Sequence, residues 1–113
     1  LTRAAKIQGK AAKAGFDWDE VSPALDKLSE ELGEFQSAVR EGSNTEEELG
    51  DLLFAAVKAG RLAGVDGETA LQKACEKFIR RFRAVETLAE RPLDQMSVPE
   101  LEALWRRAKR EET

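Results

Sequence analysis

The chain has 113 residues and a net charge of −4, with 35% charged and 42% hydrophobic residues. This length supports one domain with a single core, and the composition favours an all-α protein with wide polar faces. The sequence contains no histidine, which excludes histidine-based acid–base or nucleophile chemistry and the usual zinc sites. The negative charge argues against a general nucleic-acid binder, and no apolar run approaches the ~20 residues that span a bilayer.

Two features of the sequence bear on where the protein works. Its single cysteine, Cys75, cannot form an internal disulfide, which is typical of a reducing cytoplasm. The chain begins at Leu1 rather than Met and shows no basic-then-apolar leader. We therefore expect a cytoplasmic protein with a single domain over residues 1–113, compatible with a piece of a longer chain.

Hydrophobic periodicity and capping signals predict helices and no sheet. The first helix covers about residues 2–14, and the turn GFDWDEVS follows it. The second starts at Ser22-Pro23, a capping residue followed by the residue best suited to the first helical position, and it ends at the GSN break of residues 42–44. Its apolar stripe, taken as the inward face, consists of Leu25, Leu28, Leu32, Phe35 and Val39.

Three further helices follow the break. Asn44 or Thr45 can cap the third, whose stripe of small residues permits close packing and consists of Leu49, Leu52, Leu53, Ala56, Val57 and Gly60. The fourth covers about residues 68–90, and its expected buried face consists of Leu71, Ala74, Phe78, Phe82 and Val85. The stretch SVPE, residues 97–100, is a capping box that begins a last helix ending near Arg110. Short connections imply mostly antiparallel neighbours in a helical bundle.

The segments EELGE and EELGD place acids at the same offsets on the second and third helices. Positions three or four apart share a helix face, so Glu31 lies beside Glu34, and Glu48 beside Asp51. In an antiparallel pair these carboxylates converge, and they repel one another unless a cation held by oxygen, such as Mg²⁺, Mn²⁺ or Ca²⁺, neutralises them. An acidic pair with this spacing is more often a solvated helix surface, and spacing alone leaves both interpretations open.

The fourth helix carries a basic row that includes Lys77 and Arg81, one turn apart. These side chains could hold phosphate oxygens, or they could form an ordinary solvated face. The two tryptophans, Trp18 and Trp105, fit core or interface packing better than base stacking.

Five stretches carry a further signal, in consistent order over nearly the whole chain: KIQGKAAKAGFDW, KLSEELGE, EEELGDLLFAAV, LAGVDGETALQKACEKFIRRFRAVE and MSVPELEALWRRAKR. Together they resemble the C-terminal domain of the MazG nucleoside triphosphate pyrophosphohydrolases. The resemblance implies an all-α bundle of four to five helices completed by dimerisation. It also implies hydrolysis of nucleoside triphosphates to the monophosphate and pyrophosphate with Mg²⁺, for which Mn²⁺ is a possible substitute.

The resemblance implies roles for individual residues as well. The metal ligands would be Glu31, Glu34, Glu48 and Asp51. The catalytic residues would be Glu34, Lys77 and Arg81, together with Glu30, which would either support the metal ligands from outside or help position water. The substrate-binding residues would be Lys27, Lys77, Arg81, Trp105 and Lys109. Cys75 stands where the family's asparagine is expected, which puts ligand affinity and base preference in doubt.

A non-catalytic helical module for oligomerisation or protein contacts is the alternative interpretation, and it predicts no stabilisation by nucleotide. The resemblance favours a homodimer. The apolar residues that lie off the predicted stripes favour it too, because a monomer of this size has too little surface of its own to bury these residues. These residues are Phe54, Ile79, Leu101 and Trp105.

Overall fold

The structure is a computed structural model that describes residues 1–111. The described residues form five α-helices and one 3₁₀ helix, with no strand among them, which confirms the predicted all-α class. The helices are α1 Thr2–Lys13, α2 Val21–Glu41, α3 Thr45–Leu62, α4 Gly67–Leu88 and α5 Val98–Glu111, and the 3₁₀ helix is Leu93–Gln95. None of the described helices combines the length and apolarity that a bilayer crossing requires.

The chain divides into two compact units, Leu1–Ala70 and a second unit that begins at Leu71. In the first unit, α3 packs mainly against α2 and also contacts α1. The buried side chain of Gln8 on α1 donates a hydrogen bond from Nε2 to the Phe54 carbonyl at 2.9 Å. The second unit contains most of α4, the 3₁₀ helix and α5.

The connection between α2 and α3 depends on left-handed backbone conformations. Gly42 ends α2 at φ 69°, and its N–H donates to the Ala38 carbonyl at 2.8 Å. Asn44 follows at φ 59° and occupies the N-cap position of α3, without a side-chain capping bond. Because glycine and asparagine tolerate this conformation, the GSN break closes a tight antiparallel hairpin.

The buried face of α2 differs from the predicted one. The predicted inward stripe is largely uncovered, with relative exposures of 49% for Leu25, 45% for Leu32 and 55% for Val39. The buried residues of this helix are instead Ala24, Glu31 and Ala38. We call the exposed leucines of α2, Leu25 and Leu32, the leucine row. At about 100° per residue, the buried residues lie roughly a quarter-turn around the helix from this row. Helix α2 thus presents small side chains and one carboxylate to its neighbour, and the prediction of a buried leucine stripe is wrong.

The predicted stripes of α3 and α4 are also only partly buried. On α3 the buried residues are Ala55, Val57 and Ala59, and the exposed members of the predicted stripe include Leu49 and Leu53. On α4 only Val85 is buried, and Leu71, Phe78 and Phe82 are exposed. Small residues let helix backbones approach closely, so the contact between α2 and α3 forms along their alanine-rich faces, and the leucines of α3 lie at its margins.

The GFDW turn between α1 and α2 is attached to α3 by two interactions. Asp17 accepts two hydrogen bonds from the Arg61 guanidinium, at 2.8 and 3.1 Å, and this interaction lowers the pKa of Asp17. Lys58 Nζ lies 3.7 Å from the ring centroid of Trp18, which is cation–π geometry. Trp18 therefore packs against a lysine on the surface of α3 rather than in a core.

The capping box that begins α5 is confirmed. The Glu100 N–H donates to Ser97 Oγ at 3.3 Å, and the Ser97 N–H donates to Glu100 Oε1 at 3.2 Å. These hydrogen bonds hold the pKa of Glu100 below its usual range. The cap predicted at Ser22 is wrong, because α2 begins at Val21 with Glu20 in the N-cap position and no side-chain capping bond.

Replacing Ser97 with alanine should lower the free energy of unfolding by about 1 kcal/mol, because the Glu100 N–H loses its side-chain acceptor and Glu100 Oε1 loses the hydrogen bond that Ser97 Oγ donates. Urea titration followed by circular dichroism measures this change. Ser22→Ala is the matched control, and we expect it to stay within about 0.5 kcal/mol of the wild type. Equal losses in the two variants would contradict this assignment of the caps.

Candidate metal centre

Three carboxylates converge where α2 and α3 pack together. Glu31, Glu34 and Glu48 each offer one oxygen, and these oxygens lie within 4.8 Å of one another. The spacing of three residues places the first two on one side of α2, and the hairpin brings Glu48 from the first turn of α3 to meet them. We call these three residues the acidic cluster.

Two oxygens of the acidic cluster are buried without a hydrogen-bond partner. Glu31 is only 6% exposed, and its Oε2 atom has no donor, nor has Oε2 of Glu48. A buried carboxylate oxygen without a donor is energetically unfavourable, and native proteins usually pair such atoms with a hydrogen-bond donor or a cation. The two atoms therefore indicate a site for a positively charged ligand.

The electrostatics of the acidic cluster also favour a positively charged ligand. The charge of Glu31, followed by partial burial and the charge of Glu48, raises the pKa of Glu34. Lys27 provides one compensating charge, with Nζ 3.0 Å from Glu31 Oε1 and 4.0 Å from Glu30 Oε2. The hydrogen bond to Glu31 and the charge of Glu30 raise the pKa of Lys27. One ammonium does not balance three carboxylates, so charge remains for a divalent cation to neutralise.

The donor atoms fit a hard divalent cation. All of them are carboxylate oxygens, which suit Mg²⁺ and Mn²⁺ and do not select zinc or copper. A cavity of about 340 Å³ adjoins the acidic cluster, so a ligand can reach it. The residues that line this cavity include Glu30, Glu34, Ser37, Glu41, Asn44 and Glu48.

Two other predicted residues of the first unit lie beside the acidic cluster. Asp51, predicted as a fourth ligand, follows Glu48 on α3; it is exposed and is not a member of the group of three. Glu30 is exposed and lines the cavity with Glu34. The sequence places Lys27 on the same side of α2 as Glu31, one turn before it, and in the structure the two side chains form an ion pair.

The remaining predicted residues belong to the second unit: Lys77, Arg81, Trp105 and Lys109. The ring centroid of Trp105 lies 5.3 Å from that of Phe78, and the guanidinium carbon of Arg81 lies 5.9 Å from the Trp105 centroid. Lys77 and Lys109 are exposed. The structure thus groups Arg81 with Trp105, and it adds Phe78, which the sequence interpretation did not single out as a site residue.

Comparisons with known proteins find a matching family and similar proteins. The model of the MazG nucleotide pyrophosphohydrolase domain matches residues 13–85, which include the acidic cluster. The chain is 46% identical over 119 residues to a nucleoside triphosphate pyrophosphohydrolase of Escherichia coli K12, covering 99% of this chain and 45% of that protein. It is 39% identical over 112 residues to the nucleoside triphosphate pyrophosphohydrolase/pyrophosphatase MazG of Thermotoga maritima, covering 96% and 44%. The chain therefore spans less than half the length of these two relatives.

Replacing Glu34 with glutamine should raise the melting temperature of the metal-free protein at neutral pH. A carboxyl whose pKa is raised on folding loses its stabilising contribution as the pH rises through that pKa, so ionised Glu34 opposes folding at neutral pH. Differential scanning fluorimetry in a chelator measures the change. Asp26→Asn, at an exposed position of the same helix, is the control. A lower melting temperature for Glu34→Gln than for this control would contradict the proposed repulsion.

Proposed function

The chain belongs to the MazG nucleotide pyrophosphohydrolase family, and we propose that it hydrolyses ribo- or deoxyribonucleoside triphosphates to the monophosphate and pyrophosphate with Mg²⁺. The observation that carries this proposal is the acidic cluster, whose buried acceptors on Glu31 and Glu48 lack a protein donor. The names of the two relatives support the reaction class. The expected location is the cytoplasm, where the exposed Cys75 stays reduced.

The acidic cluster would hold the metal, with Asp51 as the fourth ligand on α3. Mn²⁺ could replace Mg²⁺, because both ions prefer carboxylate oxygens. When bound, such an ion polarises phosphoryl oxygens and makes a water molecule more acidic. Glu30 and Glu34 both line the adjoining cavity, so their oxygens can accept hydrogen bonds from an attacking water and orient it.

Basic and aromatic side chains complete the proposed assignment. Lys27, Lys77 and Arg81 would contact phosphate oxygens and offset the negative charge that develops on the departing pyrophosphate. Trp105 and Lys109 would contact the nucleotide. The proximity of the Arg81 guanidinium to the Trp105 ring supports a shared role for these two residues.

Replacing Glu48 with glutamine should lower kcat/KM on the order of 100-fold or more, because a metal ligand supplies several kcal/mol of transition-state stabilisation. Removing divalent ions with a chelator should abolish turnover, and adding Mg²⁺ should restore it. The assay should resolve pyrophosphate from phosphate, since only the former reports cleavage between the α and β phosphorus atoms. Asp26→Asn is again the control, and full activity in the chelator would refute the mechanism.

A thermal-shift experiment separates this proposal from a non-catalytic helical module. A non-hydrolysable nucleoside triphosphate with Mg²⁺ should stabilise the enzyme, since a ligand that binds only the folded state raises its stability. A scaffold has no need of three converging carboxylates, which favours the enzyme. Absence of both stabilisation and product would favour the module.

We propose in addition that the protein is a homodimer. The buried hydrophobic residues of the described chain are alanines and valines, and none of its large side chains is fully buried. The leucine row of α2 and two leucines of α3 are exposed instead: Leu25, Leu32, Leu49 and Leu53. A second copy of the chain would cover such rows with one self-complementary geometry.

Introducing a charge into the leucine row should dissociate the dimer. Leu32→Lys places an ammonium in the proposed interface, where its desolvation opposes association. Asp26→Lys introduces the same side chain about a third of a turn away from the row and should remain dimeric. Multi-angle light scattering at micromolar concentration measures the mass of each variant. A monomeric wild type, or a dimeric Leu32→Lys, would end the proposal for this surface.

A further inference from the structure

The two side chains of the ion pair between Lys27 and Glu31 differ in their exposure to solvent. The Lys27 side chain is half exposed, whereas that of Glu31 is only 8% exposed. Lys27 Nζ contacts Oε1 of Glu31 at 3.0 Å, and Oε2 of the same carboxylate is buried without a partner. One oxygen is thus paired with a cation of the protein itself, and the other has no partner in the protein.

A divalent cation in the acidic cluster would therefore share the Glu31 carboxylate with the Lys27 ammonium. Two cations on one carboxylate repel each other, and the ammonium also makes the electrostatic potential at the Glu31 carboxylate less negative. In the metal-free protein the same ammonium is favourable, because it compensates Glu31, the one carboxylate of the cluster that is buried. Lys27 should therefore stabilise the empty cluster and oppose its occupation.

A competing effect of Lys27 is orientation, since its contact could hold Glu31 in the conformation that a metal needs. This effect is the weaker of the two. The Glu31 side chain is already confined by packing, as its low exposure shows, so loss of the lysine frees little motion. The repulsion between the Lys27 ammonium and a bound metal ion is strong, because solvent and salt screen charges poorly in a partly buried site.

We propose that Lys27 is an internal counter-ion that sets the affinity of the acidic cluster for divalent cations. It substitutes for the metal in the empty protein and weakens metal binding in the absence of nucleotide. A triphosphate that arrives at the cluster offers the ammonium a second anionic partner and so relieves the competition. This inference rests on the metal site of the proposed function, but it concerns affinity for the metal alone, which can be measured without turnover.

The test is Mn²⁺ binding to the full chain without nucleotide, measured from the electron paramagnetic resonance signal of free Mn²⁺. Lys27→Met, which removes the charge and keeps the length, should bind Mn²⁺ roughly threefold to tenfold more tightly than the wild type. Its metal-free melting temperature should fall. Lys27→Arg keeps the charge and should restore both values toward those of the wild type.

Arg40→Met is the matched control for net charge, since it removes one positive charge from the same helix at an exposed site that contacts Ser37 Oγ. Its Mn²⁺ affinity should equal that of the wild type. Unchanged or weaker Mn²⁺ binding by Lys27→Met would overturn the inference and leave Lys27 as a phosphate contact alone. A wild type that binds no Mn²⁺ would instead refute the metal site of the proposed function, and with it this role of Lys27.

Discussion

The burial of one carboxylate between two helices is the constraint on which the rest of the first unit depends. Glu31 occupies the contact face of α2, where a helix of this size usually places a large apolar residue. Its neighbours on that face are Ala24 and Ala38, whose small side chains let α3 approach closely enough to bring Glu48 to the same point. A bulkier face would widen the contact and separate the carboxylates. The position of the acidic cluster therefore determines which side of α2 is buried.

The same constraint explains why so much apolar surface remains uncovered. Since the contact face is used by alanines and a carboxylate, the leucine row turns away from it. The hydrophobic stabilisation available within the chain is then small, because a buried alanine removes far less apolar area from water than a leucine does. Association of two chains along the leucine row would supply the missing burial without altering the site. In the proposed dimer, the use of one face of α2 for the site would thus require that another face be covered by a second chain.

Sequence reasoning predicted the helices well and their orientations poorly. Local signals such as the GSN break and the Ser97–Glu100 box depend on a few adjacent residues, and the structure contains both. Which side of α2 is buried depends on which of its two faces packs against α3. The hydrophobic pattern predicts that the leucine row is buried, but it does not distinguish burial in the core of the chain from burial in an interface. The two offsets predicted that Glu31, Glu34, Glu48 and Asp51 converge, and the structure groups the first three. The burial of Glu31 and the two unpartnered oxygens depend on tertiary packing that no spacing encodes.

A cluster of like charges with one buried member is stable only when positive charge compensates it. In this fold the compensation has two possible sources. The protein contributes one cation, Lys27, at a fixed distance from Glu31, and leaves the rest of the charge for ligands to neutralise. If cations of the protein compensated all the negative charge of the acidic cluster, the hairpin would be more stable and would have little affinity for a metal. No compensation would give a hairpin that opens when the metal is absent. Partial compensation lies between these limits, and it would make the stability of the α2–α3 pair depend on whether the proposed metal site is filled.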